Sequence, residues 1–323
     1  MSELFEPRLV GRVKEIHRFP VKSMVGERLE RAALRFSGVE RDRVWALRDL
    51  DLREITSAKR LPKLLQCSAR FPSDETDHVE ITLPSGLRVT SEDADASRAL
   101  STELKRRLRL EALEPATNRK HYRTGKFRGP GALRQLLGVR RGGPLPDMSD
   151  LPTWTLAVLA IHATPPGAYY DVFPIHLVTT ASLASLARAM GEDARSERFR
   201  PNIVIETETS ETGYPELAWK GELHVGDAAM RLRSPTFRCG MPSHAQAIGL
   251  PKAPAVVRTI YDDLGTKFGL YASIAREGTI AVGDPVHLAA ARPRRIDDAW
   301  ARVGHPLKRR VLHAYMGLGR SRS

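Results

Sequence analysis

The chain has 323 residues, 41% of them hydrophobic, and a formal net charge of +13, enough length and apolar content for one large domain or two ordinary ones with real cores. No apolar run approaches the roughly 18 residues of a membrane span, and the opening MSELFEPRLVGR lacks the apolar stretch of a signal peptide. Two cysteines, neither in a paired motif, exclude a disulfide framework, a zinc ribbon and an iron–sulfur site, and point to a reducing cytoplasm.

In chain order, residues 13–18 and 43–48 read as short strands, the second with the β-formers Val44 and Trp45, and Ser37-Gly38 marks a turn between them. Val79, Ile81 and Leu83 alternate with polar residues, Pro84-Ser85-Gly86 turns the chain, and Leu87 and Val89 resume the alternation, which predicts a hairpin. Leu100, Leu104 and Leu108 then make one apolar stripe of a helix with Arg106 and Arg107 near its end. A first domain over 8–115 ends here.

Residues 116–170 are rich in Gly, Pro and Arg, with one short helical patch at 133–137, and read as a long connection. Thr179 or Thr180 can cap a helix with Leu183, Leu186, Ala187 and Met190 on one face and Gly191 as its stop. Residues 202–206 read as a strand. Residues 223–233 and 279–288 each hold Val-Gly-Asp at a tight turn, which suits hairpins of a small barrel. A helix over 254–264 places Val256, Val257, Ile260 and Leu264 inward with Pro254 in its first turn. The second domain spans 171–290. The tail, 291–323, sets Trp300, Val303, Leu307, Val311, Leu312 and Tyr315 among basic residues; it either packs on its own protein or meets an anionic lipid surface or a partner.

The positive charge is local. Between 115 and 146 lie eight Lys and Arg and no acid, and the tail holds nine against Asp297 and Asp298, which leaves the rest of the chain close to neutral. Neither segment interleaves aromatic platforms with its cations or carries a reading motif, so no nucleic-acid partner is expected.

Chemistry concentrates at Ser234 to Ile260, SPTFRCGMPSHAQAIGLPKAPAVVRTI. A thiol reacts as its thiolate, which an adjacent cation favours, so Arg238-Cys239-Gly240 suits an activated sulfur. Pro235 and Pro242 bracket a constrained loop, where functional groups collect, although a buried, inert cysteine is the bland alternative. Cys67, in LPKLLQCSARF, reads as core.

The stretch SPTFRCGMPSHAQ, followed by FGLYASIAREGTIAVGDPV, resembles the MOSC domain, named for the C-terminal domain of molybdenum-cofactor sulfurases. FPVKSMVGERLERAALRFSGVERDRVWALRD is similar to the β-barrel domain that precedes MOSC in two-domain members, and FPIHLVTTASL and RFRPNIVIE to the entry of MOSC itself. The resemblance implies an α+β, β-rich fold with two barrels. It also implies a molybdenum cofactor (molybdopterin) held between them, with Cys239 as the protein's ligand to the metal. By the same resemblance Lys22, Ser23, Arg43, Arg200, Asn202 and Arg238 would hold phosphate and pterin. Thr180 and Ser182 fall in a block that touches the cofactor in relatives, but helix capping explains them equally well.

The chain departs from the family at Phe237, where a small hydroxyl residue is common, and at Ser243-His244-Ala245-Gln246, where Thr-Val-Asp is common. His244 then becomes a candidate proton shuttle or a structural hydrogen-bond partner. The function implied is reduction of a small N-hydroxylated substrate with electrons from a separate donor protein, since the chain lacks a four-cysteine run of its own. The alternative is a persulfide sulfur carrier or cofactor-binding module using Cys239. Either way, Lys22 and Cys239 should face one cleft.

Overall fold

The structure is a computed structural model and describes residues 7–125, 148, 150–208 and 210–290. The patch at 133–137 and the tail from 291 lie outside the described residues. The chain is α+β and β-rich. Its main body is a closed seven-stranded barrel, ordered Ile203–Glu206, Ile175–Thr179, Lys267–Arg276, Ala228–Phe237, Glu222–Val225, Pro285–Ala289 and Arg8–Arg18, which returns to Ile203–Glu206. One neighbouring pair is parallel, Ile175–Thr179 with Ile203–Glu206. A parallel pair requires a long crossover, and the helix Thr180–Met190 supplies it. Thr179 caps that helix by accepting from the Ser182 N–H, and Gly191 ends it in the left-handed region.

The barrel is closed by the strand nearest the N-terminus. Expected over 13–18, that strand runs Arg8–Arg18 and pairs with Pro285–Ala289 on one side and Ile203–Glu206 on the other. Two bulges, between Leu9 and Gly11 and between Val13 and Glu15, interrupt its alternation, and Val10, Val13 and Ile16 share one core with Leu177, Ile205, Leu270 and Val286. Gly11 permits the closure: at φ +147 its Cα faces the Glu206 carbonyl so closely that a Cβ would lie 2.2 Å from the oxygen.

A second core lies under residues 21–108, where Leu47, Leu64, Ile81, Leu100 and Cys67 pack together. Strands Glu80–Thr82 and Arg88–Thr90 form the expected hairpin. A three-stranded sheet of Arg31–Arg35, Gly38–Val39 and Gly278–Ala281 joins this part to the barrel.

Four expectations are corrected. The stripe of Leu100, Leu104 and Leu108 is broken, because Lys105 turns left-handed at φ 53 and Leu108 opens the strand Leu108–Ala112 against Trp45–Asp49. The second Val-Gly-Asp does not close a hairpin: Gly278–Ala281 pairs with Arg31–Arg35, whereas Pro285–Ala289 joins the barrel, so the turn carries the chain from one sheet to another. Phe36-Ser37 turns between Arg31–Arg35 and Gly38–Val39, so Ser37-Gly38 does not join the two strands first expected. The connection holds a helix, Thr153–Ile161, which its β-branched and small residues had concealed.

The first strand is also fastened by charge. Glu15 Oε2 accepts from Ser196 Oγ at 2.9 Å and lies 3.0 Å from His17 Nε2, with Arg28 Nη1 3.6 Å from its other oxygen. The His17 hydrogen bond, opposed by burial and helped by Ser196, lowers the Glu15 pKa from 4.5 to about 2. A carboxyl depressed on folding contributes stability above its unfolded pKa and loses it as pH falls through the folded one. Glu15→Gln should therefore cost roughly 2–3 kcal/mol at neutral pH and flatten the acid unfolding curve between pH 4.5 and about 2. Urea midpoints at pH 7 and pH 3 measure both effects.

Candidate functional site

Strand Ala228–Phe237 leaves the barrel at Phe237, opposite Lys267. The next residue is fixed firmly, with the Arg238 N–H donating to the Thr266 carbonyl at 2.7 Å and its own carbonyl accepting from Tyr261 Oη at 3.1 Å. Met241–Ser243 then forms one 3-10 turn with Pro242 inside it. Cys239 is held between these two anchors and is part-exposed at the floor of a cleft. Gly240 has ordinary helical angles, φ −68 and ψ −7, so the loop's shape does not demand a glycine there.

Arg238 is spent on the protein. Its Nε donates to Phe268 O at 2.9 Å, Nη1 to Phe199 O at 3.3 Å, and Nη2 approaches His176 Nε2 at 2.7 Å. Burial lowers its pKa to about 10, which leaves it charged at neutral pH. A cation facing Nε2 requires that nitrogen to accept, so the His176 proton sits on Nδ1, 3.5 Å from Arg200 O. Burial first, and Arg238 second, hold His176 well below the usual imidazole range. Gly269 makes room for the ring: at φ +80, a Cβ there would lie 2.5 Å from His176 Nε2.

The first half of the chain supplies the opposite wall. The Lys22 N–H donates to Trp45 O at 2.8 Å, which fixes the loop that carries Lys22 and Ser23. Lys22 Nζ donates to Tyr169 O at 2.9 Å and to Asp171 Oδ1, and Lys59 Nζ stands 2.9 Å from Asp171 Oδ2. Burial works against ionisation of Asp171, but the two ammonium groups hold its carboxyl well below the usual range. Arg43 binds Asp42 and reaches Asn202 Oδ1 at 3.4 Å. Arg200 binds Met24 O and stacks 4.2 Å over Phe19. Burial, then Arg43, lowers its pKa to about 9. Ser23, Arg43 and Arg200 all adopt positive φ, at 69, 52 and 53, conformations that cost a non-glycine residue about 1–2 kcal/mol each and gather where structure over-determines them.

The structure brings together Lys22, Ser23, Arg43, Arg200, Asn202, Arg238 and Cys239 in one cleft. It does not bring Thr180, Ser182 or His244 into that lining. Ser182 Oγ donates to the buried Glu216 carboxylate, and Thr180 Oγ1 accepts from the Thr207 N–H at 3.1 Å. These hydroxyls tie the start of the helix to Glu216 and to the end of the strand Ile203–Glu206, while Thr179 makes the cap. The His244 N–H donates to Met241 O, which closes the 3-10 turn behind the thiol. Sequence reading missed Lys59, Asp171, His176 and Tyr271, which line the same cleft. A signal existed for two of them, since His176 and Tyr271 stand inside the quoted blocks FPIHLVTTASL and FGLYASIAREGTIAVGDPV.

Six cations line the cleft, Lys22, Arg43, Lys59, Arg198, Arg200 and Arg238, against one carboxylate, Asp171. Arg200 Nη2 and Thr236 Oγ1 are buried there without a hydrogen-bond partner among the described residues. Unsatisfied buried donors are rare and point to a missing polar partner. Among the described residues no group of three His, Cys, Asp or Glu is placed to hold a metal ion. A lining of six cations, one carboxylate and one thiol suits an anionic ligand that can also meet a sulfur.

Barrel, second core and shared lining define a β-rich protein with a cationic cleft beside one thiol. The chain belongs to the MOSC-domain proteins: residues 162–287 match the MOSC domain and residues 10–115 the MOSC N-terminal beta barrel domain. It is similar to mitochondrial amidoxime reducing component 2 of Rattus norvegicus, 32% identical over 133 residues, which cover 37% of this chain and 38% of that protein. It is also similar to mitochondrial amidoxime reducing component 2 of Homo sapiens, 27% identical over 301 residues, 86% of this chain and 83% of that one. Among solved structures, the YUAD protein from Bacillus subtilis aligns over 88% of this chain and 98% of its own, at 11% identity and a TM-score of 0.41.

Proposed function

We propose that this chain binds a molybdenum cofactor in the cleft and reduces N-oxygenated small molecules, amidoximes among them, with electrons from a separate protein. One observation carries the reading: a part-exposed thiol and cations from both halves of the chain converge on one cleft that contains a buried, unpartnered guanidinium nitrogen. The relatives' name speaks for the reaction class. Two cysteines in the whole chain leave no set for an iron–sulfur cluster, which supports a separate electron donor.

Cys239 would be the single protein ligand of the metal. Lys22, Arg43 and Arg200 would hold the phosphate and the polar ring edge, the guanidinium forks suiting paired oxygens. When bound, the cofactor supplies two-electron chemistry that removes oxygen. Cleavage of an N–OH bond consumes two electrons and two protons and yields an N–H and water. Tyr271 lines the cleft with its pKa pushed up to about 12 by burial, so its phenol stays protonated and could donate a hydrogen bond to an oxygen of a bound ligand. Phe173 and Phe237 line the same side and exclude water.

Metal and pterin analysis of protein made in a host that synthesises the cofactor tests the reading. Stoichiometric molybdenum and pterin, with turnover of an amidoxime by a chemically reduced sample, is the expected result. Sulfane sulfur on Cys239 without molybdenum would replace it with the sulfur-carrier reading, which the exposure of that thiol also favours.

A further inference from the structure

The cleft lining holds two clusters of unlike side chains. Lys22, Arg43, Arg200 and Asn202 are polar and suit the cofactor proposed above. Phe173, Phe237 and Tyr271 are aromatic, and they are left for whatever the cofactor acts on. Tyr271 is their hub: its ring centroid lies 5.7 Å from Phe173 at an interplanar angle of 53°, and 6.4 Å from Phe237 at 71°. Rings so tilted present faces and edges in different directions, and a further flat ring can meet one face and another edge together, as aromatic quadrupoles favour. An alkyl body of equal area would gain its burial alone.

The rings are also held in place. Tyr271 lies on the barrel strand Lys267–Arg276 opposite His176, and Phe237 ends the strand Ala228–Phe237. Leu156 and Leu159 of the helix Thr153–Ile161 pack in the same cluster with Leu151 and Val172. Such a wall keeps its shape, and a rigid ring loses less freedom on it than a flexible chain does. Charge narrows the guest further. Asp171, the one carboxylate among the described residues of the lining, is claimed by Lys22 and Lys59, which leaves no acid to answer a cation. The thiol is close by. Cys239 follows two residues after Phe237, and although burial is the main cause that raises the Tyr271 pKa, the charge of Cys239 is felt there too. Phe237 stands where a small hydroxyl residue is common in the family, so its ring is this chain's own addition to the wall.

We propose that Phe173, Phe237 and Tyr271 form a subsite for a neutral, flat aromatic body, which makes the substrate an aryl N-oxygenated compound with its N–O group toward Cys239. The subsite does not need the cofactor; that its guest is the substrate rests on the proposed function.

Fluorine NMR of 4-fluorobenzamide, a neutral and unreactive aryl amide, with the cofactor-free full chain tests the subsite. The probe's line should broaden on binding, and benzamide should displace it about threefold or more better than hexanamide, which offers similar apolar area. Phe237→Leu keeps an apolar side chain of similar bulk, so circular dichroism should show the fold kept while the probe loses about threefold or more in affinity. In protein loaded with molybdenum and pterin, benzamidoxime should exceed hexanamidoxime in kcat/KM by a similar factor, chiefly through KM, and Phe237→Leu should narrow the gap. Failure of the probe to bind, displacement by hexanamide as good as by benzamide, or an affinity unmoved by Phe237→Leu would overturn the subsite; the first two need no variant. Binding of the probe without turnover of either amidoxime by loaded protein would support the subsite and overturn its guest as substrate. Equal kcat/KM for the two amidoximes would keep the reaction and overturn the aryl preference.

Discussion

Cys239→Ser is expected to keep the fold and to lose the metal. The side chain sits on a loop held by backbone contacts, from Arg238 N–H to Thr266 O and from Tyr261 Oη to Arg238 O, none of which uses the sulfur. Removing an outer-shell partner alone costs a metal site about 10–100-fold in affinity, so removing the proposed protein ligand should cost at least that. Molybdenum content should fall to background while the thermal midpoint of the cofactor-free protein stays put. The second thiol is the internal control. Cys67 is fully buried, its sulfur 3.8 Å from Lys63 O, and burial pushes its pKa up to about 12. At pH 8 only about one Cys67 in ten thousand is a thiolate, and the thiolate is what alkylates. Iodoacetamide should label Cys239 far faster, and bound cofactor should protect it. Equal, slow labelling of both thiols would remove Cys239 from the site and the proposed function with it.

Much of the cleft's lining was legible through the family resemblance and not through the local chemistry of its residues. Lys22, Ser23, Arg43, Arg200 and Asn202 were found as blocks of the family pattern, and the barrel's later hydrogen bonding brings them together without changing which residues they are. Secondary structure near strong punctuation was equally readable. Gly191 stops one helix, Pro254 starts another, and Pro84-Ser85-Gly86 turns a hairpin, each by its own backbone limits.

Long-range partnership was not legible. Residues 13–18 read as a strand, but nothing in their pattern says that the strand begins at Arg8, bulges twice, and has its partners near 204 and 287. Leu108 keeps helical spacing with Leu100 and Leu104, and only the left-handed turn at Lys105, a residue without turn preference, moves it to a strand. Lys59 and Asp171 are ordinary surface residues by type; each becomes a cleft residue because folding sets 2.9 Å between them. Thr180 and Ser182 fail in the other direction. Their hydroxyls sit in the expected block, but the Thr207 N–H and the Glu216 carboxylate claim them.

Arg238 lines the cleft and is also bonded to the protein through its whole guanidinium, and it gives the other large effect. The sequence places it beside the thiol as a cofactor contact; the structure uses all three guanidinium nitrogens on Phe268 O, Phe199 O and His176 Nε2. Arg238→Met would leave two carbonyls and an imidazole nitrogen buried and unpaired. Each such group costs about 1–3 kcal/mol, and breaking a buried charged network typically costs about 3–5 kcal/mol in total. Arg238→Lys should recover little, because one ammonium cannot span three acceptors that a planar fork reaches together. The pH dependence carries a second signature. His176 is held neutral on folding, so its unfolded form takes up a proton first and stability falls as pH drops below the ordinary histidine range. Burial is the larger cause and Arg238 the next, so the methionine variant should show a shallower decline there from a lower starting point. Urea unfolding of cofactor-free protein from pH 8 to pH 5 reads both quantities. An unchanged midpoint at pH 7, paired with loss of cofactor, would return Arg238 to the ligand-binding set.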